Sequence, residues 1–337
     1  VFDGTGAPMG FTTLGTGLFD GAGGIEIDDP GPTPAVAVGS PPVTINGGGL
    51  DAFDATSGRN IAIITYDLQV SDSVQPGQST NLTNQATVYN YAAVEGGQDH
   101  TDPADLVDTA EVRIALPTNA KSIDSTSEAH TGLIGSVERA AIGEVIRYRL
   151  VTELPEGNSP SFQIRDLLPG GLQFLDDGTA TVAFVSSSVG GVTSSLAALA
   201  AASVVGTSAY EPTVPVSAAN GPFSRGTDPY FNLGTLTNND RDTDAEFVIV
   251  EFNALTLNQL AASNDSGDTR SNRYRVYIGG QRLGGNSNQA RVRITEPSIS
   301  VNKIGAPTTV DAGDTVSYAV TYANATGSNR TTAFEVV

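Results

Sequence analysis

The chain has 337 residues, longer than one ordinary domain, so two or more modules are expected. Asp and Glu total 37 against 17 Lys and Arg, a formal net charge of −20, which argues against a nucleic-acid binder and its basic footprint. There is no Cys, which excludes disulfides and thiolate metal sites, and no apolar stretch reaches the length of a membrane span.

The 38 glycines and 18 prolines, with abundant Thr, Val and Ser, fit many short strands joined by turns. Val1–Pro117 reads as one block of strands. Gly4–Gly24 is Gly/Thr-rich and loop-like. Ile61–Val70 (IAIITYDLQV) and Asn84–Tyr91 (NQATVYNY) read as strands, Gly96–Asp105 as an acidic loop, and Thr109–Leu116 as a closing strand before Pro117. Ala120–Pro297 repeats that order with longer loops. Its turn and second strand lie in Gly143–Leu154, and Phe162–Asp166 leads into the turn at Pro169-Gly170-Gly171. Gly178–Ser186 is a strand, followed by an irregular insertion near 187–230 that holds the best helical candidate, Ser194–Val204. Phe247–Leu257 answers Ile61–Val70, Ser271–Tyr277 answers Thr83–Tyr89, and Gln289–Glu296 answers Thr109–Leu116.

A third copy opens at Ser298. Ser298–Ile304 alternates apolar and polar residues, Ala312-Gly313-Asp314 is a turn, Thr315–Ala323 is a second strand, and Thr332–Val337 begins a third. Such strands cannot bury an apolar face alone. The fold expected is therefore all-β: tandem immunoglobulin-like β-sandwich modules, with a strand set shared across the repeat seam. The modules are 1–117, lacking its first strands, 118–297, complete, and 298–337, the opening strands of the next module, completing a neighbouring unit. Either one long polypeptide carries the array or separate subunits trade strands.

Only two of the basic residues are lysines, Lys121 and Lys303, and each sits on the first strand of a module. Arg serves elsewhere, so a matched Lys suggests an amine that must lose its proton, which Arg cannot do. The alternative is an ordinary strand lysine in a surface ion pair, worth little. Acidic clusters offer calcium candidates: Asp102, Asp105 and Asp108 near a module end, and Asp240, Asp242 and Asp244 in a loop lacking the Gly and closing Glu of a helix-loop-helix site. The two histidines, His100 and His130, sit in polar loops without metal or triad spacing.

Several motifs resemble the fimbrial isopeptide-forming domain and the related repeat of giant bacterial surface proteins and adhesins. They are Lys121 on a first strand, Ala141–Tyr148 (AIGEVIRY), Ile164–Pro169 (IRDLLP), Asn272 before a late strand, Ala312–Tyr318 (AGDTVSY) and Asn84–Val88 (NQATV). The insertion near 187–230 lies outside the resemblance. The resemblance implies a spontaneous Lys–Asn isopeptide bond: Lys121, Asp166 and Asn272 in the middle module, with Asn288 an alternative to Asn272, and Lys303, Asp3 and Asn84 across the seam. The duplicated modules, the acidic surface, the lack of Cys and the incomplete strand set lead to the expectation of a structural, non-enzymatic, extracellular cell-surface protein that meets identical neighbouring units head-to-tail, with no cofactor beyond calcium. A second reading is an adhesin module that takes glycan or protein ligands through the insertion.

Overall fold

A computed structural model of the chain describes residues 103–133, 135–258 and 264–333, and before them 2–3, 27–28, 43–44, 62–63, 65, 67–71, 74–77, 81–88, 91 and 98–101. The chain divides into two units, one made of residues 1–70 with 84–110, the other of residues 71–83 with 111–337.

In the first unit β1 (Phe2–Asp3) pairs antiparallel with β4 (Ala62–Ile63), and β2 (Ile27–Asp28) pairs parallel with β3 (Val43–Thr44). The strand expected over Ile61–Val70 is thus shorter: residues 65 and 67–70 are not in a strand. Asp67 and Gln69 interrupt its apolar run, and Leu68 and Val70 stand exposed. The loop expected over Gly4–Gly24 lies outside the described residues. β5 (Asn81–Val88) and β6 (Leu106–Arg113) form a separate two-stranded sheet.

The second unit holds a sandwich of two large sheets. β7 (Thr118–Thr126), β9 (Val145–Glu153), β13 (Thr181–Ser186), β15 (Ser203–Val205) and β19 (Phe247–Thr256) lie in the order β15-β13-β19-β9-β7. β12 (Leu172–Phe174) joins this sheet at β19 and β16 (Val214–Pro215) at β13. The other sheet runs β17 (Tyr230–Asn232), β11 (Gln163–Leu167), β20 (Thr269–Ile278), β22 (Ala290–Thr295) and β8 (Glu138–Ala141), with β21 (Gln281–Leu283) paired to β20. A small third sheet is made of β10 (Gly157–Ser159), β18 (Leu236–Asn238) and β14 (Val192–Ser194).

Period-2 alternation decides which residues meet between the sheets. Ile146, Tyr148 and Leu150 of β9, Val248, Val250, Phe252 and Ala254 of β19, Ile164 of β11, and Tyr274, Val276 and Ile278 of β20 are all buried in one cluster. Phe252 is its hub, with its ring centroid 5.7 Å from Tyr148, 5.5 Å from Phe174 and 5.8 Å from Phe231. The insertion near 187–230 is more regular than expected. It carries β14, a 3₁₀ helix at Ala197–Ala202, β15 and β16, and it buries Val192, Leu199, Ala202 and Val216 in the same core. Arg149 of β9 fastens it, donating to the carbonyls of Ser208 (2.9 Å) and Tyr210 (2.6 Å).

β23 (Ile299–Ala306) and β24 (Ser317–Asn324) pair only with each other in the described chain. The return at Asn329–Arg330 ties their base to the sandwich: Ser266 Oγ donates to the Asn329 carbonyl, and Arg330 bridges Glu296. The third strand expected over Thr332–Val337 is absent at residues 331–333, and the remainder lies outside the described residues. Replacing Phe252 by Ala should cost about 3–5 kcal/mol, because the rings around it cannot close the cavity. Urea unfolding followed by tyrosine fluorescence would measure the loss, and a change under about 1 kcal/mol would contradict this packing.

Candidate functional site

Three polar residues occupy inward positions in strands whose other inward positions are apolar. On β11 the inward series is Ile164 then Asp166; on β20 it is Asn272, Tyr274, Val276 and Ile278; on β7 it is Lys121 followed by half-buried Ile123. Asp166 lies opposite Tyr274, two residues from Asn272, so the carboxyl and the amide share one face of one sheet. Lys121 reaches them from the facing sheet. Its Nζ forms an ion pair with Asp166 Oδ2 in which both side chains are 0% exposed.

Around this pair the core is closed and aromatic. Lys121 Nζ lies 4.6 Å from the Tyr148 ring centroid and 5.1 Å from that of Phe252. Burial pushes the Lys121 amine down to about 8, against the opposing pull of Asp166. Burial pushes the Asp166 carboxyl up, although Lys121 and then Asn272 hold it down. Burial likewise raises the phenols of Tyr148 and Tyr274. Both shifts of the pair favour the uncharged forms, a neutral amine beside a protonated acid.

The amide is uncommitted. Asn272 is fully buried, and neither its nitrogen nor its oxygen has a partner in hydrogen-bond geometry, although it lies close enough to Asp166 to lower that carboxyl's pKa. Asp166 Oδ1 and the Tyr148 hydroxyl are also without partners. An unpaired buried polar group costs about 1–3 kcal/mol, and here an amide, a carboxyl oxygen and a phenol hydroxyl without partners share one core. Asn288 has a different part. Its amide accepts from the Lys121 N–H at 2.7 Å and donates to the Lys121 carbonyl at 2.8 Å, so it fixes the lysine's backbone. Tyr148 and Phe252, which wall the amine, carry no role in the sequence reading. Their signal is their place in the inward alternation of β9 and β19, beside Lys121 in the sheet order.

Of the seam residues, Lys303 and Asn84 are both exposed on their strands, and Asp3 lies on β1 opposite Ala62. The hairpin of Lys303 nevertheless copies the β7–β9 register. Lys121 faces Leu150 and Ile123 faces Tyr148; Lys303 faces Val320 and Gly305 faces Tyr318. In each pair the lysine Nζ lies 4.6 Å from the tyrosine ring. One lysine is in a finished core and the other stands in the open.

Among the calcium candidates, Asp102 lies outside the described residues. Asp105, Asp108, Asp242 and Asp244 are exposed, and Asp108 accepts from the Thr109 N–H at 2.9 Å. Asp240 is buried, and its carboxylate accepts from the hydroxyls of Ser187 and Ser188 and from the Ser188 N–H. The one group of three acidic or imidazole side chains whose ligand atoms converge within 4.8 Å, among the described residues, is Asp124, Glu211 and Glu251. Glu251 is already clasped by Arg147 at 2.9 Å and by Arg149, which makes that group an ion-pair network.

With Asn272 replaced by Ala, Lys121 keeps its buried acid and has no amide beside it. Its amine should then titrate near 8 by NMR of the side-chain carbons, against 10.5 for a free lysine. Between those values the unfolded chain binds more protons than the folded one, so this group's contribution makes stability rise with pH over the window. The raised Asp166 acts in the opposite sense, losing stability as pH rises from 3.8 through its folded pKa. A Lys121 titrating at or above 10.5 would contradict the burial.

No protein-family model matches the sequence, and none of the curated proteins does. Solved structures do resemble it. The major pilin subunit of Bacillus cereus is 13% identical with a TM-score of 0.31, covering 59% of this chain and 52% of its own. The N-terminal domain of a Streptococcus gordonii adhesin is 10% identical with a TM-score of 0.32, covering 57% of this chain and 35% of its own. The T6 backbone pilin of Streptococcus pyogenes is 12% identical with a TM-score of 0.34, covering 68% of this chain and 46% of its own. The chain thus spans about half or less of the length of each, and the structures it resembles are bacterial pilins and surface adhesins.

Proposed function

We propose that the chain is a structural repeat unit of an extracellular bacterial filament, stalk or giant surface protein, stapled by a Lys121–Asn272 isopeptide bond. The observation that carries this reading is the fully buried Lys121–Asp166 pair lying between two sheets beside an amide without a hydrogen-bond partner. In the step proposed, the neutral Lys121 Nζ attacks Asn272 Cγ, and protonated Asp166 hydrogen-bonds the amide oxygen as negative charge develops there. Asp166 then passes its proton to the departing nitrogen and takes one from Nζ, ending protonated as it began. The Cγ–Nδ2 bond breaks, the Cγ–Nζ bond forms, and one ammonia leaves. Burial between aromatic walls favours the uncharged reactants this requires.

In this reading residues 1–117 form a module lacking its first strands, 118–297 a complete one, and 298–337 the opening strands of another. The shared register and the equal Lys–Tyr distances of β7–β9 and β23–β24 support it. So does exposure: Val301 is 63%, Tyr318 65% and Tyr322 59% exposed on a hairpin that uses the same pattern to build a core elsewhere. The hairpin is completed head-to-tail by the Val1–Pro117 block of a neighbouring unit, which sets Lys303 against Asp3 and Asn84 there.

Two experiments test these parts separately. Intact-mass measurement of the purified chain should find it one ammonia lighter than its sequence, with the full mass restored in Lys121→Ala, Asp166→Ala and Asn272→Ala. An unmodified mass in the parent chain would sink the staple. For the seam, the chain heated in detergent should run as a ladder that Lys303→Ala abolishes, and Val320→Asp should leave it monomeric in light scattering. A parent chain that stays monomeric at high concentration would refute exchange between copies.

A further inference from the structure

The chain's cations are not spread evenly over its acidic surface. Outward alternation on the β17-β11-β20-β22-β8 sheet places Arg165 of β11, Arg273 and Arg275 of β20, and Arg291 and Arg293 of β22 on the face opposite the core, and Arg282 of β21 stands beside Arg275. These are six of the 17 basic residues in a chain of net charge −20. Among the described residues, none of the six makes an ion pair with a carboxylate.

Their partners are neutral instead. Arg275 Nε and Arg282 both donate to Asn286 Oδ1 at 2.9 Å, Arg291 Nε donates to Gln289 Oε1 at 2.8 Å, and Arg293 donates to Asn329 Oδ1 at 3.5 Å. Arg165 is stacked 3.8 Å from the Tyr230 ring and 4.8 Å from that of Tyr277. The buried Nε atoms of Arg165, Arg273 and Arg293 have no acceptor at all. Arg165 and Arg275 are direct cross-strand neighbours, a like-charge pairing that weakens a sheet. Asp228 feels both of them, but it is half-buried and its carboxylate accepts from the Leu168 N–H at 3.0 Å. With 37 acidic residues to hand, a face of arginines facing amides and rings is costly for stability alone.

We propose that this face binds a carboxylate-bearing polysaccharide, with Arg273 and Arg291 at its centre. An open cleft of about 440 Å³ there is lined by Ser136, Val137, Arg273, Gln289 and Arg291, room for roughly one or two sugar rings with hydroxyl and amide groups to read them. Guanidinium forks match planar carboxylates with two parallel hydrogen bonds. Successive outward residues of a strand stand about 7 Å apart and neighbouring strands about 5 Å, so the row suits a chain with one charge per sugar. A folded acidic protein fits less well, because protein interfaces need an apolar centre and this cleft is lined by one aliphatic side chain, Val137, beside four polar or charged ones. The net charge of −20 repels any polyanion, and duplex nucleic acid, with about one charge per 1.7 Å of its axis, more than a polysaccharide with one charge per sugar.

The test is calorimetric titration of the full chain with alginate oligosaccharides, with neutral dextran as the comparison. Alginate should bind, more weakly as salt rises, and dextran should not. Arg273→Ala and Arg291→Ala should each weaken binding at least about tenfold, and Arg273→Lys should weaken it too, since the fork is lost while the charge is kept. Arg241→Ala, in the acidic loop, should leave it unchanged. Circular dichroism melts equal to the parent's would show that the variants fold. Three results would each overturn the proposal: no heat with alginate at low salt, binding indifferent to both alanine variants, or arginine-dependent self-association without alginate binding, which would make the face a contact between copies.

Discussion

A single buried contact governs how the second unit is put together: the Lys121 amine set against the Asp166 carboxyl between two sheets. Each group answers the other's need for a partner, since either one alone would leave a polar side chain buried without a hydrogen bond. The pair therefore demands that β7 and β11 be in register with each other through the core, and everything around it is arranged to keep that demand satisfied. Asn288 clamps the backbone of Lys121 from the β22 side, and Tyr274 ties the sheets again by donating to the Val151 carbonyl at 2.5 Å. Stability and chemistry pull in different directions here. A core built only for stability would fill these positions with Leu and Ile.

The two strand pairs that carry lysines make the same point by contrast. Backbone register and the stacking of amine on tyrosine are present in both, so local sequence is enough to produce them. Burial is present in one only. What turns a strand lysine into a shifted, buried amine is the opposing sheet, and that sheet is a tertiary product. The difference between Lys121 and Lys303 is a direct view of what packing adds to a pattern.

Much of this was legible in the sequence. Alternation located β9, β11, β19, β20 and β22 within a residue or two, and the scarcity of lysine pointed to Lys121. Asp166 came from the resemblance of Ile164–Pro169 to the isopeptide-forming domain, and its inward register became visible only in the fold. The regular part of the insertion was not legible, because its strands are two or three residues long and take their shape from docking, β15 and β16 on β13 and β14 on β18, rather than from their own periodicity. Ile61–Val70 failed for the reverse reason. Its β-branched residues promise a strand, but Asp67 and Gln69 give it no continuous face to bury. The choice between Asn272 and Asn288 could not be made from spacing at all, since it turns on which side chain reaches the core and which caps a backbone.

The order of the strands has a mechanical consequence. Lys121 sits on the first strand of its sandwich and Asn272 on the strand that pairs with the last one, β22. With Lys121 and Asn272 joined by an amide, a pull entering at Thr118 and leaving at Thr295 would run along the start of β7, through that link, and then along β20, β21 and β22. The residues between Lys121 and Asn272, with the aromatic core and the docked insertion, would sit in a closed loop under no tension. In such a module the rings of Phe174, Phe231 and Phe252 would be spared the load, while the parts of β20, β21 and β22 beyond Asn272 would still carry it.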